Sequence, residues 1–297
     1  MVNQSFSDRL VGILIHSLLV LVLIVVLYPL IFVVSASISN PTLVVQGKVW
    51  LLPADLTFIG YTKVLQNSEI LTGYMNTILY TVVGTAINLT MTVIAAYPLS
   101  RRDFVGRNVI TAMITFTMFF GGGLIPTYLL IKDLHMINTI WAMVIPGAVS
   151  VWNIIIMRTF FQNGIPGELH ESAAIDGCGN LQTLWRIILP LSMPIIAVMI
   201  LFYSVGHWNA YFNALIYLSD RDKYPLQLLL REILIKDEMD SMIQAGGGLL
   251  NEKAEQMLES ESIKYAIVVV ANLPILMLYP FLQKYFVKGI MIGAIKG

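Results

Sequence analysis

The chain has 297 residues, 57% of them hydrophobic and only 12% charged, with a mean hydropathy of +0.76 and a formal net charge of zero. A soluble domain carries about 25% charged residues, so half that share, set around long apolar runs, excludes an ordinary soluble globule and predicts an all-α, polytopic membrane protein. The balanced charge offers no basic surface for nucleic acid, and the single cysteine, Cys178, excludes an intramolecular disulfide framework or a multi-cysteine metal site.

Six transmembrane spans are expected in chain order, at 10–36, 72–98, 109–131, 137–157, 187–217 and 263–282. Arg9 precedes the first, whose apolar run far exceeds the roughly 7–15 residues of a signal-peptide core, so it reads as a retained span. The fifth is too long for one crossing of about 20 residues, which places its Pro190 and Pro194 end outside the hydrocarbon layer. Pro126, Pro146 and Pro274 fall inside spans and read as kinks whose freed carbonyls neighbouring helices satisfy.

An even number of spans puts both termini on one side. The compact basic loop "SRRDFVGRN", 100–108, marks that side as cytoplasmic. The polar segment 163–190 is then cytoplasmic too, while 37–71 and 219–262 lie outside. The first of these outer segments is partly apolar and suits the membrane interface. The second is acidic around a glycine turn at 246–248.

Within 163–190 stands "HESAAIDGCGNLQTLWRIILPLS", a polar island between apolar runs. Pro166 tolerates a first helical turn and Glu168 favours its positive end, so a helix is expected to begin here. Leu169, Ser172, Ala173 and Asp176 recur at three- and four-residue spacing on one face. Gly177 and Gly179 supply the C-terminal turn, and a second helix over 181–189 leads into Pro190. A helix lying on lipid usually carries Lys/Arg and large apolar residues. This one carries Glu168, Glu171, Asp176 and small residues, which favours a protein partner.

The run Glu171-Ser172-Ala173, then three residues to Gly177, nine more to Ile187, and Leu189-Pro190 resembles the EAA loop of ABC importer permeases. The family pattern is E-A-A-x3-G-x9-I-x-L-P; the one departure is Ser172 for the first alanine, and Asp176 also matches. "AAYPLSRRDFVGR", "WNAYFNALIYLSDRDKYPL" and "FLQKYFVKGIMIGAIKG" are similar to the carbohydrate-uptake branch, the maltose-type inner-membrane subunits. "FFGGGLIPTYLLIKDLHMINTIWAMVIPGAVSVWN" looks like Gram-positive permeases for complex oligosaccharides.

The resemblance implies a type I importer permease fold in one transmembrane domain over 1–297, with core spans over about 72–285, a coupling loop at 163–190 and an extracellular loop at 219–262. It implies that Glu171, Ser172, Ala173, Asp176, Gly177, Leu189 and Pro190 couple the chain to a separate ATPase. Two ATP-binding subunits would hold ATP and Mg, and no cofactor would sit in this chain. A second, homologous permease would complete a heterodimer. An extracellular solute-binding protein would deliver an oligosaccharide through this membrane-embedded, non-catalytic subunit. The tail at 289–297 is either a second ATPase contact or a frayed basic end. The loop 219–262 either inserts towards the binding protein or forms a solvated helical hairpin.

The residues agree on what is missing. No G-x-x-x-x-G-K-[ST] loop is present, and Gly121, Gly122 and Gly123 lead into Leu124, Ile125 and Pro126 without a lysine or hydroxyl, so ATP hydrolysis belongs to other chains. "HESAA" lacks the second histidine of H-E-x-x-H and no G-x-S-x-G occurs, which argues against an intramembrane hydrolase. Within the spans the ionisable groups are His16 and His207, with Arg158, Lys264 and Lys284 near ends; ion-coupled carriers need intramembrane carboxylates. Asn76, Asn88, Trp152, Asn153, His207, Trp208, Asn209 and Tyr211 offer amides for sugar hydroxyls and aromatic faces for sugar CH surfaces. The same residues equally serve as interhelical hydrogen-bonding glue. An importer of the same architecture for peptides, polyamines or lipoproteins is the alternative.

Overall fold

The computed structural model describes residues 6–245, 260–261, 263–278, 280 and 283. Among these the regular elements are helices, with one isolated bridge between Ser39 and Leu56. They are α1 (Phe6–Ser37), α2 (Pro41–Val45), α3 (Ile59–Gln66), α4 (Ser68–Ser100), α5 (Arg107–Phe116), α6 (Leu124–Asp133), α7 (Ile140–Val144), α8 (Val151–Gly164) and α9 (Gly167–Ile175). After these come α10 (Asn180–Thr183), a π turn at Leu184–Ile188, α11 (Leu189–Leu191), α12 (Met193–Trp208), α13 (Phe212–Tyr217), α14 (Leu226–Ala245) and α15 (Ile263–Leu278). The chain divides into two compact units, one of 1–71 with 230–272 and one of 72–229 with 273–297, each taken over its described residues.

The first unit begins with α1, whose stretch Leu10–Ser37 is strongly apolar, with none of its most apolar window buried by the chain itself. At about 1.5 Å per residue its 28 residues exceed the roughly 30 Å of a hydrocarbon core. The segment that follows folds back onto the end of this helix. Ser35 donates to the Leu51 carbonyl at 2.7 Å, and the Ala54 amide donates to Ser39 at 3.0 Å. Ala36, Val44 and Val49 are buried there against Phe32 and Tyr265. Trp50 and Leu52 remain exposed, as an interfacial segment requires.

The second unit is organised on α4. The C-terminal half of this helix buries Val93, Ala96, Tyr97 and Leu99 against Ile154, Met157 and Phe161 of α8 and Ile195, Met199 and Tyr203 of α12. Its N-terminal half places Tyr80 against Met143 and Val144 of α7, Ala214 of α13 and Leu228. Met157 and Met199 are fully buried there, where dispersion packing between helices stabilises the unit, since lipid supplies no hydrophobic drive.

Three expected spans are not continuous helices. The stretch 109–131 divides into α5 and α6 around 117–123, because Gly123 adopts φ +82°, outside the helical region, and Pro126 occupies the first turn of α6. The stretch 137–157 divides at 145–150: Pro146 cannot donate to the helical ladder, and Ser150 caps α8 by accepting from the Asn153 amide. The stretch 187–217 turns by 83° between 180–191 and 193–208, where Pro190 and Pro194 flank Ser192, and pauses again before α13. Among the described residues two helices, Leu10–Ser37 and Ser68–Ser100, are long and apolar enough to cross a membrane, or three spans if the bent pair counts as one. α15 is a shorter apolar helix within the expected 263–282. The glycine turn at 246–248 and the tail at 289–297 lie outside the described residues.

Candidate functional site

The polar island forms a short helix with a defined stop. Pro166 stands just before α9, and the helix closes at Gly177, whose φ of +74° is the left-handed conformation that glycine adopts without a Cβ penalty. The Gly177 amide donates to the Ala174 carbonyl at 3.1 Å and the Cys178 amide to the Ala173 carbonyl at 2.9 Å. This pair of bonds is the Schellman closure of a helix C-terminus. The glycine of the E-x-x-x-x-x-G spacing therefore has a backbone reason to be glycine.

Glu171, Ser172, Asp176 and Gly177 are exposed, and Ala173 is 3% exposed. Ala173 thus faces the chain's own interior, and the surface offered outward is made by its neighbours. Leu189 is half-buried and Pro190 exposed. A π turn at Leu184–Ile188 precedes them, with the Leu189 amide reaching the Leu184 carbonyl, where Pro190 lacks the donor that would continue a regular ladder. On either side of the glycine turn, the apolar residues Ile175, Leu181 and Trp185 are 86%, 74% and 69% exposed.

What holds α9 in place is the end of α4. Arg101, just past the helix, gives Nε and Nη2 to the two carboxylate oxygens of Asp103, each at 2.9 Å, and Nη1 to Nδ1 of His170 at 2.7 Å. The Tyr97 ring lies 6.1 Å from the imidazole. The Arg101 guanidinium bonded to Asp103 holds its carboxyl below the usual carboxylate range. Desolvation, and then the charge of Arg101, lower the His170 pKa below that of a free histidine. A cavity of about 360 Å³ opens beside this cluster, lined by Tyr97, Arg101, Asp103, Phe104, Leu181 and Leu184 among others.

The α4 terminus and the residue after it are capped from α8 and α5. Arg158 Nε donates to the Leu99 carbonyl at 2.9 Å, Gln162 reaches the Ser100 carbonyl at 3.4 Å, and Arg107 donates to the Arg101 carbonyl at 3.2 Å. These bonds satisfy carbonyls that a helix end leaves without partners, with positive charge where the helix dipole favours it.

The eight candidate path residues separate into two groups. Asn88 sits in the interior of the second unit, its amide donating to the Gly147 carbonyl and its oxygen accepting from His207 Nε2 at 2.6 Å. Gly84 makes this possible, because a Cβ there would overlap the His207 ring. Asn76 donates to the carbonyls of Asp222 and Tyr224 at 2.7 and 3.1 Å, fixing the 221–225 turn. Trp208 is buried edge-to-face against Tyr74, and Asn153 is buried in α8. These five make contacts within the chain. Trp152, Asn209 and Tyr211 are exposed. Asn209 also receives a long bond from Gln227 at 3.4 Å.

The comparisons with known proteins follow the same lines. The model of the family described as "Binding-protein-dependent transport system inner membrane component" matches residues 88–292. The chain is 40% identical, over 98% of its length and 100% of the relative's, to the polygalacturonan/rhamnogalacturonan transport system permease protein YtcP of Bacillus subtilis (strain 168). It is 41% identical to Protein LplC of the same organism, covering 92% of this chain and 90% of that one. Among solved structures it is similar, at a TM-score of 0.85 and 36% identity over 96% of this chain and 100% of that one, to a chain of a bacterial ABC transporter involved in the import of the acidic polysaccharide alginate. The family match spans most of the sequence and includes the whole α9 loop and its supports on α8. The chain belongs to the binding-protein-dependent transport system inner membrane components, the permease subunits of ABC importers.

Proposed function

We propose that the chain is the transmembrane permease subunit of an importer that moves oligosaccharides into the cell, with α9 as the helix through which ATP hydrolysis on separate subunits drives the transport. The observation that supports this most is the α9 turn. Glu171, Ser172 and Ala173 of the EAA pattern fall on one short helix, closed at Gly177 and braced against the end of α4 by Arg101 and His170. A push on such a helix is carried into a long span as rigid motion, because both ends of the contact are hydrogen-bonded. In this reading Glu171, Ser172, Asp176 and Gly177 meet the ATPase directly. Ala173 packs the helix inward, and Leu189 and Pro190 shape the return to the membrane.

The finer arrangement belongs to the same proposal. One permease domain crosses six times with both termini in the cytoplasm, built on core spans over 72–285. The broken pairs α5–α6 and α7–α8 each serve as one irregular span where they are covered by protein. Two ATP-binding subunits hold ATP and Mg, a second homologous permease completes the channel, and an extracellular solute-binding protein delivers the cargo. α14 occupies the outer segment 219–262, as one arm of a helical element there. The sugar path is left with Trp152, Asn209 and Tyr211, an amide and two aromatic rings of the kind that bind sugars by hydroxyl bonding and CH packing.

Cargo class rests on the relatives. YtcP is named for polygalacturonan and rhamnogalacturonan, and the similar solved transporter for alginate, so saccharides lead and acidic ones are the first to try. The test is uptake into proteoliposomes carrying the complete assembly, offered oligogalacturonides, neutral oligosaccharides, short peptides and polyamines. Oligosaccharide uptake that depends on ATP is expected. Uptake of peptides or polyamines with none of any saccharide would overturn the cargo assignment.

A further inference from the structure

His170 precedes the EAA residues and is half-buried, and its ring is not part of the EAA pattern. Its contact with Arg101 fixes its chemistry. A guanidinium has five N–H donors and no acceptor, so the 2.7 Å contact from Arg101 Nη1 requires Nδ1 of His170 to carry a lone pair. The imidazole is therefore neutral, with its proton on Nε2. Adding a proton at Nδ1 removes the acceptor and sets two cations against each other at hydrogen-bonding distance. Asp103 offsets this only in part: its charge favours a protonated ring, but both of its carboxylate oxygens already accept from Arg101 and its side chain is 67% exposed.

We propose that Arg101 is a positioning residue for energy coupling, holding α9 against the end of α4 through neutral His170, and that protonation of His170 releases the helix. This rests on the reading of α9 as the coupling helix. The charged and titratable groups facing the imidazole are Tyr97 from α4 and Arg101 and Asp103 from the loop after it; Glu168 and Glu171 flank it on its own helix. Arg101 is held from behind by Arg107, which donates to its carbonyl, and the α4 end by Arg158, while α9 keeps its apolar contacts through Leu169 and Ala173, so opening the bond loosens the polar side of α9. The sign follows from the neutral requirement. The histidine pKa is lowered in the folded chain, so the contact is complete above the ordinary histidine value of about 6.5 and is lost as pH falls through the lower folded value.

The experiment follows hydrogen exchange of the α9 amides, corrected for intrinsic exchange, in the reconstituted assembly between about pH 8 and about pH 5. The wild-type chain is compared with His170→Asn, whose Oδ1 replaces the Nδ1 acceptor without titrating, and with His170→Ala and Arg101→Met. Wild-type protection is expected to fall several-fold on acidification. His170→Asn keeps protection across the range, while His170→Ala and Arg101→Met are low throughout. A flat wild-type profile, or a His170→Asn profile that falls as the wild type does, would overturn the latch. ATP hydrolysis stimulated by the loaded binding protein, measured in parallel, separates the two ideas. With the coupling reading correct, the ratio of His170→Asn to wild type rises as pH falls. If protection changes as expected and that ratio stays constant, the coupling reading fails and the positioning role in transport fails with it.

Discussion

At the residue scale, two glycines carry geometry that no other residue supplies at the same cost. Gly177 closes α9 in the left-handed region with open space around it, so its requirement is conformational and not steric. Gly177→Ala is expected to destabilise the α9 turn by about 1 kcal/mol. Gly177→Asn should cost less, because asparagine tolerates this region. Amide exchange at Gly177 and Cys178 is the measurement, and equal protection in all three chains would remove the Schellman closure from the account. Gly84 is the opposite case, required by space, since His207 lies where its Cβ would be. Asn88 joins His207 to the Gly147 carbonyl across three elements. Asn88→Ala leaves both partners without it and is expected to cost about 1–3 kcal/mol, read as a lowered melting temperature of the purified assembly. Asn88→Asp adds a buried charge and should be worse.

At the element scale, α4 is tied to distant sequence at both ends, by its own side chains at the first and by side chains from α8 at the second. Its N-terminal half fixes the 221–225 turn through Asn76, with Tyr80 donating to the Lys223 carbonyl and Thr77 accepting from the Leu226 amide at 2.8 Å. Asn76→Ala is expected to raise exchange over that turn while leaving α9 unchanged, a separation that exchange by segment checks directly. At the other end, Arg158→Ala exposes the Leu99 carbonyl and should loosen the α4 terminus and α9 together. Arg158→Gln, which still donates, should restore part of the protection. These are the features that sequence reading reached least. Hydropathy located α1 and α4 and the apolar content of the remaining spans, because lipid-facing composition is a local property. It did not place the breaks at 117–123 and 145–150, because proline and glycine tolerance within a membrane depends on which neighbour satisfies the freed backbone. The α9 helix was legible down to its terminating glycine, since caps and turns are set by adjacent residues. Arg101 with His170 was not legible, as the two are 69 positions apart and meet only through the packing of α4 on α8.

At the scale of the whole molecule, the chain is a permease subunit of an ABC importer. Its described residues hold no cluster of His, Cys, Asp or Glu able to ligate a metal, and its sequence has no phosphate-binding loop. What it offers is a rigid, hydrogen-bonded path from an exposed helix into a long span. The exposed apolar residues Ile175, Leu181 and Trp185 extend that surface beyond the EAA pattern. The most direct measurement is ATP hydrolysis stimulated by the loaded binding protein in proteoliposomes holding both permeases and the ATPase pair, comparing wild type with Glu171→Ala and Gly177→Asp. Both variants are expected to assemble and to lose stimulation by on the order of tenfold, equivalent to about 1.4 kcal/mol. Stimulation and uptake at wild-type levels in both variants would contradict the account, leaving α9 as a surface helix with no part in coupling.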